Sequence, residues 1–477
     1  MLARPAGYEW VIPVFRPVLS NMSRVTRREF LAAAATSASL YAASASAPEL
    51  SVATFTEEVT PPIGHPCMGG GIAPVKEIVD PLFVHGFVVR GAGDPIAIVA
   101  VDWCEIRNDA YDRWREGMAD AVGTKRERVM VTSLHQHDAP VADLFAERLL
   151  REAKVKGSIC DPSFHEKAVR RVAKTAKMAM MGARRVTHVG TGQAKVERIA
   201  SNRRWMDETG SVRFDRTSAT RDPKARAAEE GTIDPHLKTL SLWDGDRPVL
   251  ALSAYATHPM SFYGKGGVSA DFVGLARKLR QAEEPKIFQM YVSGCSGNVT
   301  AGKYNDGAPE NRVELAKRLH DGIREAWKNT TRQAITDVAF KTSSLRLPMR
   351  TWKGFSEEDL SKRLREDPKP FGQCLAALGL SWRKRVEADR PIDVCAIDFG
   401  GPAFVLLPAE AYVEYQLLAQ ATRPKGFVVT AGYGECGPGY IPIEKAWAEN
   451  DTNLTDWCWV DRGCEEKMKS AIEAVLK

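Results

Sequence analysis

Ile96-Ala97-Ile98-Val99-Ala100-Val101, a segment of helical character at 109–122, and Val129-Met130-Val131-Thr132 follow one another with little between them. An apolar strand, a helix and a second apolar strand in this order predict an α/β fold, with strands buried by the helices that connect them. The pattern extends in both directions. Upstream, residues 50–59 alternate as a strand until Thr60-Pro61-Pro62-Ile63-Gly64 breaks them into a loop, and 82–89 reads as a further apolar strand. Downstream, helices are expected at 163–181, 271–283 and 312–327, and strands at 237–242, 249–256 and 287–292. Segments 356–366 and 374–387 read as helices that decorate the core. Strands at 394–399 and 403–407, a helix from Glu410 and a strand at 427–431 complete the order. No internal repeat is visible, and the polar stretch 221–230 reads as a loop. The expectation is one large mixed-sheet α/β domain over residues 48–477, with helices packed around it and long loops at the active end.

The chemistry-bearing residues sit where these strands stop. Val129-Met130-Val131-Thr132-Ser133 runs into Leu134-His135-Gln136-His137-Asp138, and on an extended chain residues two apart point the same way. Both imidazoles would then leave the carboxyl end of the sheet, where α/β folds place their ligands. By itself the pair is suggestive only, since two hydrogen-bonded structural histidines would read the same way. Strand 249–256 ends similarly, in Thr257-His258-Pro259. Strand 287–292 ends in the small-residue loop Ser293-Gly294-Cys295-Ser296-Gly297-Asn298-Val299-Thr300-Ala301-Gly302, which is either a tight turn or a place where backbone N–H groups approach a bound group. Phe404-Val405-Leu406-Leu407-Pro408-Ala409-Glu410 ends in a carboxylate that could as well be a helix cap. Gly432-Tyr433-Gly434-Glu435-Cys436-Gly437-Pro438-Gly439-Tyr440 reads as a loop exposing two tyrosines.

In this order the motifs resemble the catalytic domain of the neutral/alkaline non-lysosomal ceramidase family, over roughly residues 52–448. Thr60-Pro61-Pro62 and Asp80-Pro81-Leu82 resemble its opening motifs. Leu134-His135-Gln136-His137-Asp138-Ala139-Pro140 is similar to its Thr-His-Thr-His-Ser-Gly-Pro, Ala256-Thr257-His258 to the setting of its second zinc histidine, and Leu407-Pro408-Ala409-Glu410 to its Pro-Gly-Glu. Tyr440-Ile441-Pro442 resembles the segment that carries its ligand tyrosine. The resemblance implies a Zn²⁺ cofactor held by His135, His258, Glu410 and Tyr440, and hydrolysis of an N-acyl, ceramide-like amide by metal-activated water, with His137 orienting groups or moving a proton. These N and O donors suit zinc on chemical grounds as well. Where the family has Gly-Asp-x-Ser-Pro, this chain has Gly297-Asn298-Val299-Thr300-Ala301. Asn298 and Thr300 are therefore read as catalytic candidates, with Thr300 as a hydrogen-bond partner at the scissile carbonyl and not a serine-type nucleophile. The 37 residues after Tyr440 are too few for the family's immunoglobulin-like C-terminal domain.

At the other end, Thr26-Arg27-Arg28-Glu29-Phe30-Leu31, a weakly apolar Ala/Ser stretch and Ala45-Ser46-Ala47 form a twin-arginine export signal over residues 1–47, with Met22 as an alternative start. This implies a periplasmic or extracellular destination. Removing those residues lowers the formal charge from +6 to +3, which does not suggest a nucleic-acid partner. A mean hydropathy of -0.27, with no apolar run of about 20 residues, predicts no transmembrane segment. The nine cysteines lack paired metal-binding spacing, and their pairing into disulfides is open. Two other functions fit the same residues: an amidohydrolase barrel or metallophosphoesterase, and a non-catalytic exported binding protein with a structural metal. Charged segments 221–226 and 303–306 are expected at the mouth of the site, which would favour a smaller or more polar substrate than long-chain ceramide.

Overall fold

Ile96–Val101 is buried along its entire length, as a strand covered on both faces must be. It pairs antiparallel with Phe83–Arg90 on one side and parallel with Val129–Ser133 on the other. Phe83–Arg90 in turn pairs antiparallel with Ser51–Glu58. The parallel step requires a crossover, supplied by the helix Asn108–Val122, which stops at Gly123 in the left-handed conformation (φ 71°). A second helix, Pro162–Ala179, begins with Asp161 capping the Ser163 N–H (2.8 Å) and packs back over Ser51–Glu58. The computed structural model describes residues 49–477, which form one compact unit. The export signal expected over residues 1–47 lies outside the described residues.

This arrangement of three antiparallel strands, a helix, a parallel strand and a second helix occurs three times. In the second repeat His188–Lys195, His236–Asp244 and Arg247–Tyr255 are the antiparallel strands. Asp271–Glu283 leads to the parallel strand Phe288–Ser293, and Asn311–Lys328 packs back on the first strand. In the third, Ala339–Leu345, Ile392–Asp398 and Ala403–Leu406 are antiparallel. Val413–Thr422 crosses to Val428–Ala431, and Cys464–Leu476 closes the unit. Side chains from all three sheets, among them Ile98, Met130, Leu250, Met290, Phe404 and Val429, share one buried apolar cluster. The parallel strands end beside one another. Ser133 N–H donates to the Tyr433 carbonyl (2.9 Å), Gly432 N–H to Ser293 (2.9 Å), and the Ser293 hydroxyl to the Leu134 carbonyl (2.7 Å). This ring of bonds joins the carboxyl ends of the three sheets.

The mixed α/β class and the single large domain are as expected. Among the described residues every sheet is open, which removes the amidohydrolase barrel. Two local expectations are corrected, and the open question of cysteine pairing is answered. Glu410 does not open a helix: Glu410–Ala411 pairs parallel with Tyr440–Ile441, and the helix begins at Val413. Segment 221–230 contains the short helix Pro223–Ala227. All nine cysteines are buried free thiols. No helix among the described residues is long and apolar enough to cross a membrane.

Candidate metal centre

Each repeat delivers part of the centre from the end of its parallel strand pair. After Ser133 the chain keeps strand-like bonds for two residues, Leu134 N–H to Val101 and His135 N–H to Trp103 (2.8 and 2.9 Å), and His135 then takes φ 73°. Left-handed backbone costs a non-glycine residue about 1–2 kcal/mol. It is held here by the stacking of Tyr433 on the imidazole (centroids 4.1 Å, 17°) and by the Nδ1 contact with the Cys104 carbonyl (3.0 Å). The expectation that His135 and His137 converge because the chain is extended is therefore corrected. They converge, with centroids 5.5 Å apart, although the backbone turns at His135.

His258 comes from the second repeat. Its N–H donates to the Val299 carbonyl (2.9 Å) and its Nδ1 lies 2.5 Å from the Ser296 carbonyl. Both His135 and His258 thus have Nδ1 on a backbone carbonyl and Nε2 facing Glu410 Oε2, at 3.3 and 3.0 Å. This is how proteins fix the tautomer of a metal-binding histidine. Glu410 is supplied by the third repeat, its N–H bonded to Gly439 (3.1 Å), with Ala409 before it at φ 51°. Gly297 lies so close that a Cβ there would run into the Glu410 carbonyl oxygen. The Tyr440 hydroxyl accepts a bond from Arg203 Nη1 (2.7 Å).

The donor atoms of His135, His137 and His258 lie within 4.8 Å of one another, as do those of Glu105, His135 and Glu410. His135 Nε2 and His137 Nδ1 are buried without a directed hydrogen bond. Orphaned imidazole nitrogens around a carboxylate fit a divalent cation better than they fit a finished hydrogen-bond network. The electrostatics of Glu410, His258 and His137 agree, whereas at His135 burial is outweighed by Glu410 and Glu105, which raise it. Burial opposes the Glu410 charge, but His135 and His258 hold it well below the usual carboxylate range. His258 is lowered to about 4 by burial and by Arg203, and His137 is driven well below its ordinary value by burial and the other two rings. A neutral His258 and His137 beside an anionic Glu410 form a set ready to donate lone pairs. Burial raises the Tyr440 phenol, against the opposing influence of Arg203. An ionised Tyr440 would need a cation beside it.

Asn298 and Thr300 are not brought into this cluster. Asn298 Oδ1 accepts the Val413 N–H (2.9 Å) and its Nδ2 donates to Glu414 (2.9 Å), which caps the helix behind Glu410. The Thr300 hydroxyl donates to the Thr217 carbonyl (2.6 Å) and accepts from the Gly302 N–H (3.1 Å). Neither lines the cavity of about 640 Å³ that opens above His135, His137, Glu410 and Tyr440. The charged segments 221–226 and 303–306 do not line it either. Charges do stand at its mouth, but they come from Arg363, Asp367, Lys369 and Asp456. The Gly/Pro-rich loop does not expose both tyrosines, since Tyr433 is fully buried against His135.

Two residues of the centre have no motif to announce them. Arg203 is buried and spans Tyr440, Asn453 Oδ1 (3.3 Å) and His258 Nε2 (3.3 Å). Glu105 is fully buried, paired with Arg107 (2.7 Å), and accepts from the Trp457 Nε1–H (3.2 Å). A polar run such as Ser201-Asn202-Arg203-Arg204 reads as surface. The one available signal for Glu105 was a carboxylate placed just beyond the apolar strand Ile96–Val101.

Fold and centre together define a mixed α/β protein with a candidate metal site at the meeting point of three sheets. No family model matches the chain, and no curated protein sequence matches it. Solved structures do share the fold. Neutral ceramidase from Pseudomonas aeruginosa superposes with a TM-score of 0.65 at 15% identity, over 90% of this chain and 74% of that one. A ceramidase complexed with C2 gives the same score and identity over 90% and 75%.

Proposed function

We propose that the chain is an exported, zinc-dependent hydrolase that cleaves the amide bond of an N-acyl compound. His135, His258, Glu410 and Tyr440 would hold the ion. The observation that carries this reading is the convergence of three imidazoles and a carboxylate drawn from all three repeats, of which His135, His137 and Glu410 line one cavity. The ceramidase fold and the ordered motifs support it. When bound, zinc supplies Lewis-acid polarisation of the scissile carbonyl and lowers the pKa of an attacking water to about 7.

The remaining chemistry belongs to the chain. The carbonyls of Cys104 and Ser296 keep both ligand histidines in the tautomer that presents Nε2. His137, neutral and free at Nδ1, accepts the proton released in the attack and passes it to the leaving amine. Arg203 holds the Tyr440 oxygen in place. Asn298 and Thr300 brace the loop that aims His258. Residues 1–47 would direct export by the twin-arginine route.

The test is metal analysis of purified protein together with turnover of a labelled N-acyl amide panel, before and after chelation. About one zinc per chain, with amide cleavage lost on chelation and restored by zinc, is the expected result. Stoichiometric zinc without any turnover would instead indicate a binding protein with a structural metal.

A further inference from the structure

The cavity above the centre has two unlike walls. One is apolar: Met68, Phe371, Leu375 and Trp457. The Phe371 and Trp457 rings are near-parallel, with centroids 6.2 Å apart. Trp457 is held by its bond to the buried Glu105 (3.2 Å), and a Cβ on Gly71 would run into both Met68 and Phe371. The two rings are thus supported from behind, Trp457 by Glu105 and Phe371 by the close approach of Gly71. The other wall is an ion-pair group in which Arg363 bonds Asp367 (3.2 Å) and Asp456 (3.0 Å), with Lys369 at the rim. Five of these eight residues, Arg363, Asp367, Lys369, Phe371 and Leu375, come from the helices Glu357–Glu366 and Pro370–Glu387 and the turn that joins them, a segment inserted between the first two strands of the third repeat.

An apolar chain gains about fourfold in affinity per methylene, the equivalent of about 0.8 kcal/mol, only while apolar side chains receive it. Past the patch it would cover charged groups, whose desolvation works against binding. Resting on the amide-hydrolase reading, we infer that the substrate is a compact N-acyl compound. Its apolar half, about eight carbons or fewer or a single aryl ring, lies on the Phe371–Trp457 pair, and its other half is polar and meets the Arg363–Asp367–Asp456 group. Neither wall receives a long lipid chain, whichever half of the amide faces the patch.

The experiment is kcat/KM for one small hydroxylated amine acylated with chains of two to sixteen carbons and with phenylacetyl. It is measured on the zinc-loaded full chain and on Arg363→Leu and Asp456→Leu, with thermal unfolding as a check on each variant. Asp456 is the more exposed partner of the pair, so its replacement leaves a folded protein even if that of Arg363 does not. The expected profile rises by up to about fourfold per methylene and then levels or falls beyond about eight carbons, with phenylacetyl near the maximum. In the leucine variants the rise should continue to longer chains. A steep rise to sixteen carbons in the unaltered protein, or variants that leave the profile unchanged, would overturn the inference while leaving amide hydrolysis standing. Absence of turnover for every amide would instead remove the hydrolase reading itself.

Discussion

The turns that follow the parallel strands of the first and second repeats occupy equivalent places and contribute opposite things. In the first, the chain leaves Val129–Ser133 and presents the His135 imidazole. In the second, it leaves Phe288–Ser293 and presents the carbonyls of Ser296 and Val299, which receive His258. The histidine of the second repeat comes one strand earlier, after Arg247–Tyr255, where the first repeat has Asp102 locked to Arg277 by two bonds of 2.7 Å. The third repeat places Glu410 after its third strand and Tyr433 after its parallel strand. A threefold scaffold therefore carries an asymmetric site. The ring of bonds at the strand ends is closed mostly by backbone groups, with one side chain, the Ser293 hydroxyl, and so can repeat with little demand on residue type. A metal site needs different donors at different positions, so the side chains around the ring differ.

The comparison breaks hardest at a ligand. His258→Ala or Glu410→Ala should abolish zinc retention and lower kcat/KM by at least about 10³-fold, with the fold preserved. Circular dichroism with metal analysis checks this, and an active His258→Ala enzyme with full zinc would refute the assignment. A smaller effect is expected at the second-repeat turn that only aims a ligand. In Gly297→Ala the new methyl group pushes the loop off the Glu410 backbone. Zinc affinity should fall by about 10–100-fold, as when a ligand's support is disturbed, and a competition titration with a chelator would read it. The mildest outcome is expected for Thr300→Ala, which strands the Thr217 carbonyl and the Gly302 N–H. Stability in urea should drop by about 1–3 kcal/mol while zinc content stays unchanged. A selective loss of turnover at unaltered stability would return Thr300 to the reacting carbonyl.

The repeat itself shows how legibility depends on burial pattern. Strands such as Ile96–Val101 and Ala403–Leu406 are buried on every residue and stand out as apolar runs. His188–Lys195 and Ala339–Leu345 are first strands with exposed or half-exposed residues along much of their length. Their mixed composition does not read as strand, and without them and Cys464–Leu476 the threefold order is invisible. At the centre, His135, His137, His258 and Glu410 were legible because each follows an apolar strand and belongs to an ordered motif. Asn298 and Thr300 were legible as a motif, but their contacts turn them away from the cavity. Arg203 and Glu105 were not legible, because a buried charge can be told from a solvated one only by its partners.

By itself, the sequence determined the α/β class, the order of the strand-end polar groups and the donor chemistry suited to zinc, since these follow from local hydrophobic pattern and residue type. Only the tertiary structure decided that three sheets meet at one ring of strand ends and that His135 turns through a left-handed backbone to face Glu410. It also decided that the inserted helices of the third repeat, and not segments 221–226 and 303–306, wall the cavity. Those outcomes rest on long-range packing, in which residues hundreds of positions apart satisfy one another's buried polar groups, and no local pattern encodes such a choice.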